Sequence, residues 1–436
     1  MSESSQAVVS PLRREGRTAR TTSADAAIYV AANVVNKGVM FLMAPLLAHY
    51  LAPDDFGRIA IFLAFCGIAT VLVGYNSNGA VLLQALDPKE RDLASYVGTV
   101  VASIAIGSTV LSLIVLVTGA AVVSRLQLPR EWILAAVVVG GLNAVTAAAL
   151  AVWQAQRRPA LYAAANLGQS ALNAGMSLFL VVVAGLGWQG RTNAVVFSAM
   201  TGAVAAIWLL RRDGLIRPAL DRHAGKDAAA YGIPLIPHAL AAWIMEGIDR
   251  VWLGSAISLL AAGVYAAGYQ VGMIVAFVAS SVNTAWAPVI LRELGEADYR
   301  GRRRLVRQMY GLMLMFFSLA LVLALLARMI TATVFPATYA AAAPVIGWVA
   351  AGYACHAAYM LLGNLISHSR KTHWLSAITV GCATLNLGLN AILIPRYGGV
   401  GAAQATFFTY FAFMVLTWAV GQRVCPLPWL SSIARA

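Results

Sequence analysis

Hydrophobic positions run through this chain in blocks too long for the core of a globular domain. Twelve stretches of roughly 20 or more mostly apolar residues stand out. They fall at about 27–50, 57–83, 95–124, 132–154, 161–186, 192–210, 230–254, 260–290, 309–330, 342–367, 374–394 and 400–422. A bilayer core about 30 Å thick is crossed by about 20 apolar residues in a helix, so each block reads as a membrane span. The blocks do not alternate in polarity, which excludes a closed β-barrel. The pattern predicts an all-α integral membrane protein of about twelve transmembrane helices.

Composition agrees: of 436 residues, 60% are hydrophobic and only 11% charged. Soluble domains carry about 25% charged residues. A soluble enzyme, a disordered scaffold and a nucleic-acid-binding domain are therefore poor fits, despite a net charge of +14. The basic excess instead sets orientation. With residues 1–25 on the cytoplasmic side, 23 of the 31 lysines and arginines fall in segments on that side and six on the other. Lys37 and Arg250 lie inside spans. That bias supports twelve spans with both termini cytoplasmic. Trp132, Trp188, Trp252 and Trp374 sit near span ends, where interfacial tryptophans collect.

The loops are short and basic and hold no phosphate-binding glycine motif, so an ion gradient, the membrane potential or the substrate's own gradient is the expected energy source. Cys66, Cys355, Cys382 and Cys425 have no metal-binding or redox spacing, and no cofactor or metal is expected. A weak internal repeat pairs Tyr29 with Tyr231, and Phe56-Gly57-Arg58-Ile59-Ala60 with Ala262-Gly263-Val264-Tyr265-Ala266, at offsets of 202 and 206 residues. It predicts two six-helix lobes about a central cleft. The expected division is a tail over 1–25, a first lobe over 26–210, a linker over 211–229, a second lobe over 230–424 and a tail over 425–436.

Polar groups inside spans are costly and mark candidate sites. Tyr29, Asn33 and Lys37 follow one another at four-residue spacing, a cationic face for a cavity. Glu246, Asp249 and Arg250 cluster on the seventh span, with Pro234, Pro237 and His238 before them. The prolines should break the first turns of that helix. Glu246, Asp249 and His238 are the candidates for ion coupling or gating. Asn76, Asn78, Asn166, Gln169, Asn173, Asn364, Asn386 and Asn390 read first as interhelical hydrogen-bonding groups.

Several stretches resemble the bacterial polysaccharide flippases of the multidrug/oligosaccharidyl-lipid/polysaccharide (MOP) exporter superfamily. They are Asn33-x-x-x-Lys37 with Pro45-Leu46-Leu47 and Tyr50-Leu51-Ala52-Pro53-Asp54-Asp55-Phe56-Gly57, then Ile248-Asp249-Arg250-x-x-Leu253-Gly254 with Ala262-Gly263-Val264-Tyr265, then Asn386-x-x-x-Asn390-x-x-Leu393-Ile394-Pro395-x-Tyr397-Gly398-x-x-Gly401-Ala402. The resemblance implies a fold like that of the MATE exporters and translocation of an undecaprenyl-diphosphate-linked oligosaccharide across the bacterial inner membrane by rocking of two lobes. It implies that Lys37 and Arg250 hold the diphosphate, with Arg58 at the cavity mouth and Asn33 and Tyr29 among the groups facing the sugar. The expected partners are the lipid-linked oligosaccharide and membrane lipids, together with a polysaccharide polymerase and chain-length machinery, around a monomeric chain. A cation-coupled multidrug exporter would instead use Glu246 and Asp249 in an acidic cavity. A lipid II flippase shares the fold but usually carries two more helices. An enzyme is disfavoured, because His238 and His356 lack a catalytic partner at useful spacing.

Overall fold

The computed structural model describes residues 31, 34–36, 38–39, 41–86, 92–126, 128–296 and 299–429. Those residues form helices and short connections, with no strand among them. The first lobe comprises α1 (Val34–Ala48), α2 (Pro53–Gly74), α3 (Ser77–Leu86), α4 (Leu93–Leu126), α5 (Arg130–Ala155), α6 (Pro159–Leu178) and α7 (Gly187–Arg212). A short helix, α8 (Arg222–Gly232), starts inside the expected linker and ends three residues past it. The second lobe comprises α9 (Ile236–Ala256), α10 (Leu259–Gly272), α11 (Ile274–Glu296), α12 (Tyr299–Val334), α13 (Ala343–His368) and α14 (His373–Val424).

Ten helical segments among the described residues are long and apolar enough to cross a membrane. One of them, α14, is two crossings. At Gly398 the backbone turns through φ 56° and ψ −132°, just after Pro395 has removed a helical donor. The arms over 373–397 and 399–424 are the expected eleventh and twelfth spans, and the described part of α1 belongs to the first. With α14 counted as two crossings, the described residues hold eleven crossings in the two-lobed architecture expected from the apolar blocks.

Local chemistry sets the helix ends. Pro53 sits in the first turn of α2 with Asp54 and Asp55, where a missing N–H costs nothing and acidic groups meet the positive end of the dipole. The expected second span is broken where Tyr75 and Asn76 adopt left-handed backbone (φ 33° and 56°), separating α2 from α3. Asp221 caps α8, and Ser258 caps α10 by accepting from the Ala261 N–H at 3.1 Å. Pro234 falls in a 3-10 turn over Ile233–Leu235, so α9 starts six residues later than its apolar block.

The lobes touch at both ends. At the end far from the linker, α2 crosses α10 so closely that a Cβ on Gly57 would lie 2.2 Å from the Leu259 carbonyl oxygen, and one on Gly263 1.8 Å from that of Pro53. There the Tyr339 hydroxyl also donates to the Leu51 carbonyl at 3.0 Å. At the linker end, a Cβ on Gly232 would meet the Tyr75 carbonyl oxygen at 1.8 Å. Between the two ends the lobes part around a cavity.

Candidate functional site

The cavity encloses about 650 Å³. Its first-lobe wall presents Asn36 of α1, Asn143 of α5, Gln169 and Asn173 of α6, and Arg191 and Ser198 of α7. Its second-lobe wall presents Trp243, Glu246 and Arg250 of α9, with Tyr269 and Gln270 of α10. Phe41, Phe56, Met273 and Phe277 complete a largely apolar lining. Hydrogen bonds tie the walls together: Gln270 Nε2 donates to the Phe41 carbonyl at 3.0 Å, and Trp243 Nε1 to the Ala64 carbonyl at 3.1 Å.

Two guanidinium groups enter from opposite lobes. Arg250 lies with its guanidinium carbon 4.4 Å from the centre of the Tyr269 ring, and its Nη1 donates to the backbone carbonyl of Glu246 at 2.6 Å. The sixth apolar block starts at residue 192, which leaves Arg191 in the loop before it. Instead α7 begins at Gly187, five residues before the sixth apolar block, and brings Arg191 into the protein at 7% exposure. Its Nη1 donates to Asn173 Oδ1 and, at 2.8 Å, to Ser177 Oγ. Asn173 Nδ2 in turn donates to Ser198 Oγ at 3.0 Å. Among the described residues neither arginine has a carboxylate within ion-pair distance. Cations held in a largely apolar cavity are costly, so the site is suited to an anionic guest.

Asp249 separates from its neighbours on α9. It is 1% exposed, outside the cavity lining, and turned into the second lobe. Its carboxylate accepts from the Tyr265 hydroxyl at 2.6 Å, Asn390 Nδ2 at 2.6 Å and the Thr406 hydroxyl at 3.1 Å. Asn390 Nδ2 also donates to Asn386 Oδ1 at 3.0 Å, and Asn386 Nδ2 to the Thr409 hydroxyl at 3.2 Å. Asn390 Oδ1 is buried and unpartnered. The three charged groups of the seventh span therefore do not share one face: Glu246 and Arg250 line the cavity, whereas Asp249 anchors a closed polar core between α9, α10 and both arms of α14.

The other expected site residues are dispersed. Arg58 pairs with Asp55 at 3.0 Å and lies 5.7 Å from the Trp188 ring centre, outside the cavity lining. His238 sits near the start of α9 with Nδ1 buried and unpartnered, three turns from Asp249. Tyr29, Asn33 and Lys37 lie outside the described residues. The asparagines largely bond between helices: Asn36 Nδ2 donates to Asn166 Oδ1 at 2.8 Å, and Asn364 Nδ2 to Asn283 Oδ1 at 3.2 Å. Gln169 and Asn173 line the cavity as well. Thr406 and Arg191 escaped the sequence reading. For Arg191, the available signal was the small polar series Asn173-x-x-x-Ser177 on the neighbouring helix.

The fold is that of known exporters. The chain is similar to an inward-facing multidrug resistance MATE transporter of the MOP superfamily, with TM-score 0.74 and 12% identity over 92% of this chain and 96% of that one. It is similar to the lipid II flippase MurJ in an inward closed conformation, with TM-score 0.75 and 12% identity over 93% and 90%. Against an outward-facing MATE transporter the TM-score is 0.60, with 14% identity over 92% and 95%. No protein of curated function matches the sequence. The MatE family model matches residues 234–392, and the model described as "Polysaccharide biosynthesis protein" matches residues 23–293. With more than half its length matched by the latter, the chain belongs to the polysaccharide biosynthesis protein family, and it has the fold of those MATE and MurJ structures.

Proposed function

We propose that the chain flips an oligosaccharide carried on undecaprenyl diphosphate across the bacterial inner membrane, for the making of surface polysaccharide. The observation that carries this reading is the pair Arg191 and Arg250: two guanidiniums, one from each lobe, on one cavity and without carboxylate partners among the described residues. A diphosphate brings charge to both and replaces the water it leaves behind with charge-assisted hydrogen bonds. Asn36, Asn143, Gln169 and Gln270 offer donors and acceptors to sugar hydroxyls. The polyprenyl chain stays in lipid, between the lobes. Rocking of the lobes about the cavity then exposes the head group to each side in turn.

Asp249 suits ion coupling better than substrate contact. It lies out of the cavity, its three donors hold it in place, and a proton or small cation would change the charge of the second lobe's core without entering the substrate's space. The linker side is assigned to the cytoplasm on the positive-inside bias. A cationic-drug exporter needs acidic groups on the cavity wall. With Asp249 turned away, Glu246 is the acidic residue in the described lining, beside two arginines.

The test is reconstitution in liposomes with undecaprenyl-diphosphate-linked saccharide, comparing wild type, Arg191→Ala and Arg250→Ala, with a cationic dye in parallel. Saccharide flipping that falls at least tenfold in both variants is expected. Dye transport without saccharide flipping would overturn the reading.

A further inference from the structure

A second concavity, of about 510 Å³, lies on the outside of the first lobe where the chain leaves α7. Its floor is one face of α4, where Gly98, Ala102 and Ala105 recur at helical spacing. Ile207 of α7 forms one wall and the connecting segment around Pro218 the other. The segment is clamped in place. Arg217 N–H donates to the Ala94 carbonyl at 3.0 Å, and Asp221 N–H to the Thr99 hydroxyl at 3.1 Å. A Cβ on Gly98 would lie 1.7 Å from the Arg217 carbonyl oxygen, so the backbone rests directly on α4. Further along the linker, the Tyr96 hydroxyl donates to Asp227 of α8 at 2.9 Å.

The groove's surroundings indicate what fills it. Away from the linker, α4 and α7 continue as exposed apolar surface through Ile106, Val110 and Val204, so the groove opens toward acyl chains. Its linker end carries Arg211 and Arg217. Nearby, Arg212 lies 5.4 Å from the Trp208 ring centre, the pairing of cation and indole found at head-group depth. Arg217 is paired with Asp92 at 3.2 Å, whereas Arg211 has no ion pair among the described residues. The rim is net positive over an apolar slot.

We propose that this groove is a binding site for an anionic glycerophospholipid of the surrounding leaflet, with an acyl chain along α4 and the phosphate at Arg211 and Arg217. A zwitterionic lipid would bring its own cation against the same guanidiniums, and a free phosphate would leave the slot unfilled. Because the groove is walled by the segment joining the two lobes, its occupant ties that segment to the first lobe and stiffens the hinge.

The experiment is thermal unfolding of the full chain in neutral detergent, with added phosphatidylglycerol, phosphatidylcholine of the same acyl chains, or inorganic phosphate. Phosphatidylglycerol should raise Tm by several degrees, because a ligand of the folded state stabilises it by mass action. Phosphatidylcholine should raise it less, and phosphate not at all. Arg211→Ala with Arg217→Ala should abolish the difference between the lipids. Ala102→Phe, which fills the slot and leaves the charges, should abolish it too. Arg222→Ala, a charge removed outside the groove, should preserve it. Equal shifts with the two lipids, a preference that survives in both groove variants, or a phosphate shift as large as the lipid's would each overturn the assignment.

Discussion

Gly57 and Gly263 meet backbone to backbone at the crossing of α2 and α10. A Cβ on Gly57 would lie 3.2 Å from the Gly263 nitrogen, and one on Gly263 2.9 Å from the Gly57 nitrogen. The residues four positions earlier, Pro53 and Leu259, supply the carbonyl oxygens that close each contact. Both pairs are separated by the repeat offset of 206 residues, so the repeated motif packs reciprocally against its own counterpart. This contact closes the end of the cleft away from the linker. It accompanies the better superposition on an inward-facing relative than on an outward-facing one.

A side chain at this crossing should force that end apart. In Gly263→Val, a cysteine placed at Ala266 on the cavity wall should react several-fold faster with a membrane-impermeant maleimide added from outside. Unchanged labelling would show that the α2–α10 crossing does not seal the cavity.

Arg191 should separate stability from transport. It donates two hydrogen bonds to neutral groups, while among the described residues no carboxylate offsets its burial. Desolvating such a charge costs several kcal/mol, about what two hydrogen bonds of about 1.5–3 kcal/mol each return. Arg191→Met should leave Tm unchanged or higher while flipping falls at least about tenfold, the equivalent of about 1.4 kcal/mol in substrate binding. A fall in both Tm and transport would mark the residue as structural.

Asp249→Asn replaces an acceptor of three hydrogen bonds with a group that has one oxygen and an added donor. A loss of about 1–3 kcal/mol in stability is expected, as is the loss of any dependence of flipping on an imposed ion gradient. Retained gradient dependence, measured in liposomes with controlled internal and external buffer, would remove Asp249 from coupling.

Asp213, at the end of α7, is held below the usual carboxylate range by hydrogen bonds from Arg158 and Arg212. A carboxyl lowered on folding adds stability above its unfolded value, near 3.8, and loses it as pH falls through the lower folded value. The Tm difference between wild type and Asp213→Asn should therefore be constant at neutral pH and shrink below about pH 3.8. A difference that does not change with pH would show that these contacts act without the charge.

Apolar block length was enough to place the spans, and proline and glycine to place several of their ends, because insertion into a bilayer depends on local composition. The break at Tyr75 and the helix in the linker were not legible, since left-handed backbone and interfacial packing leave little trace in hydropathy. Arg191 was missed for the same kind of reason. Gln189 and Arg191 are polar enough to end an apolar block, although the helix itself starts at Gly187. Charge spacing on one helix also placed Asp249 with Arg250. Their opposite fates depend on Tyr265, Asn390 and Thr406, contributed by other parts of the second lobe, a juxtaposition that only tertiary structure creates.

The division of the two cavity arginines between lobes has a consequence for unloading. A guest that spans Arg191 and Arg250 is gripped by both only while the walls stand at one particular separation. Any rocking that widens the cleft withdraws one of the two contacts. Forfeiting one charged hydrogen bond of about 1.5–3 kcal/mol weakens retention by roughly ten- to a hundredfold. Under the proposed function, the same movement that opens the door loosens the hand.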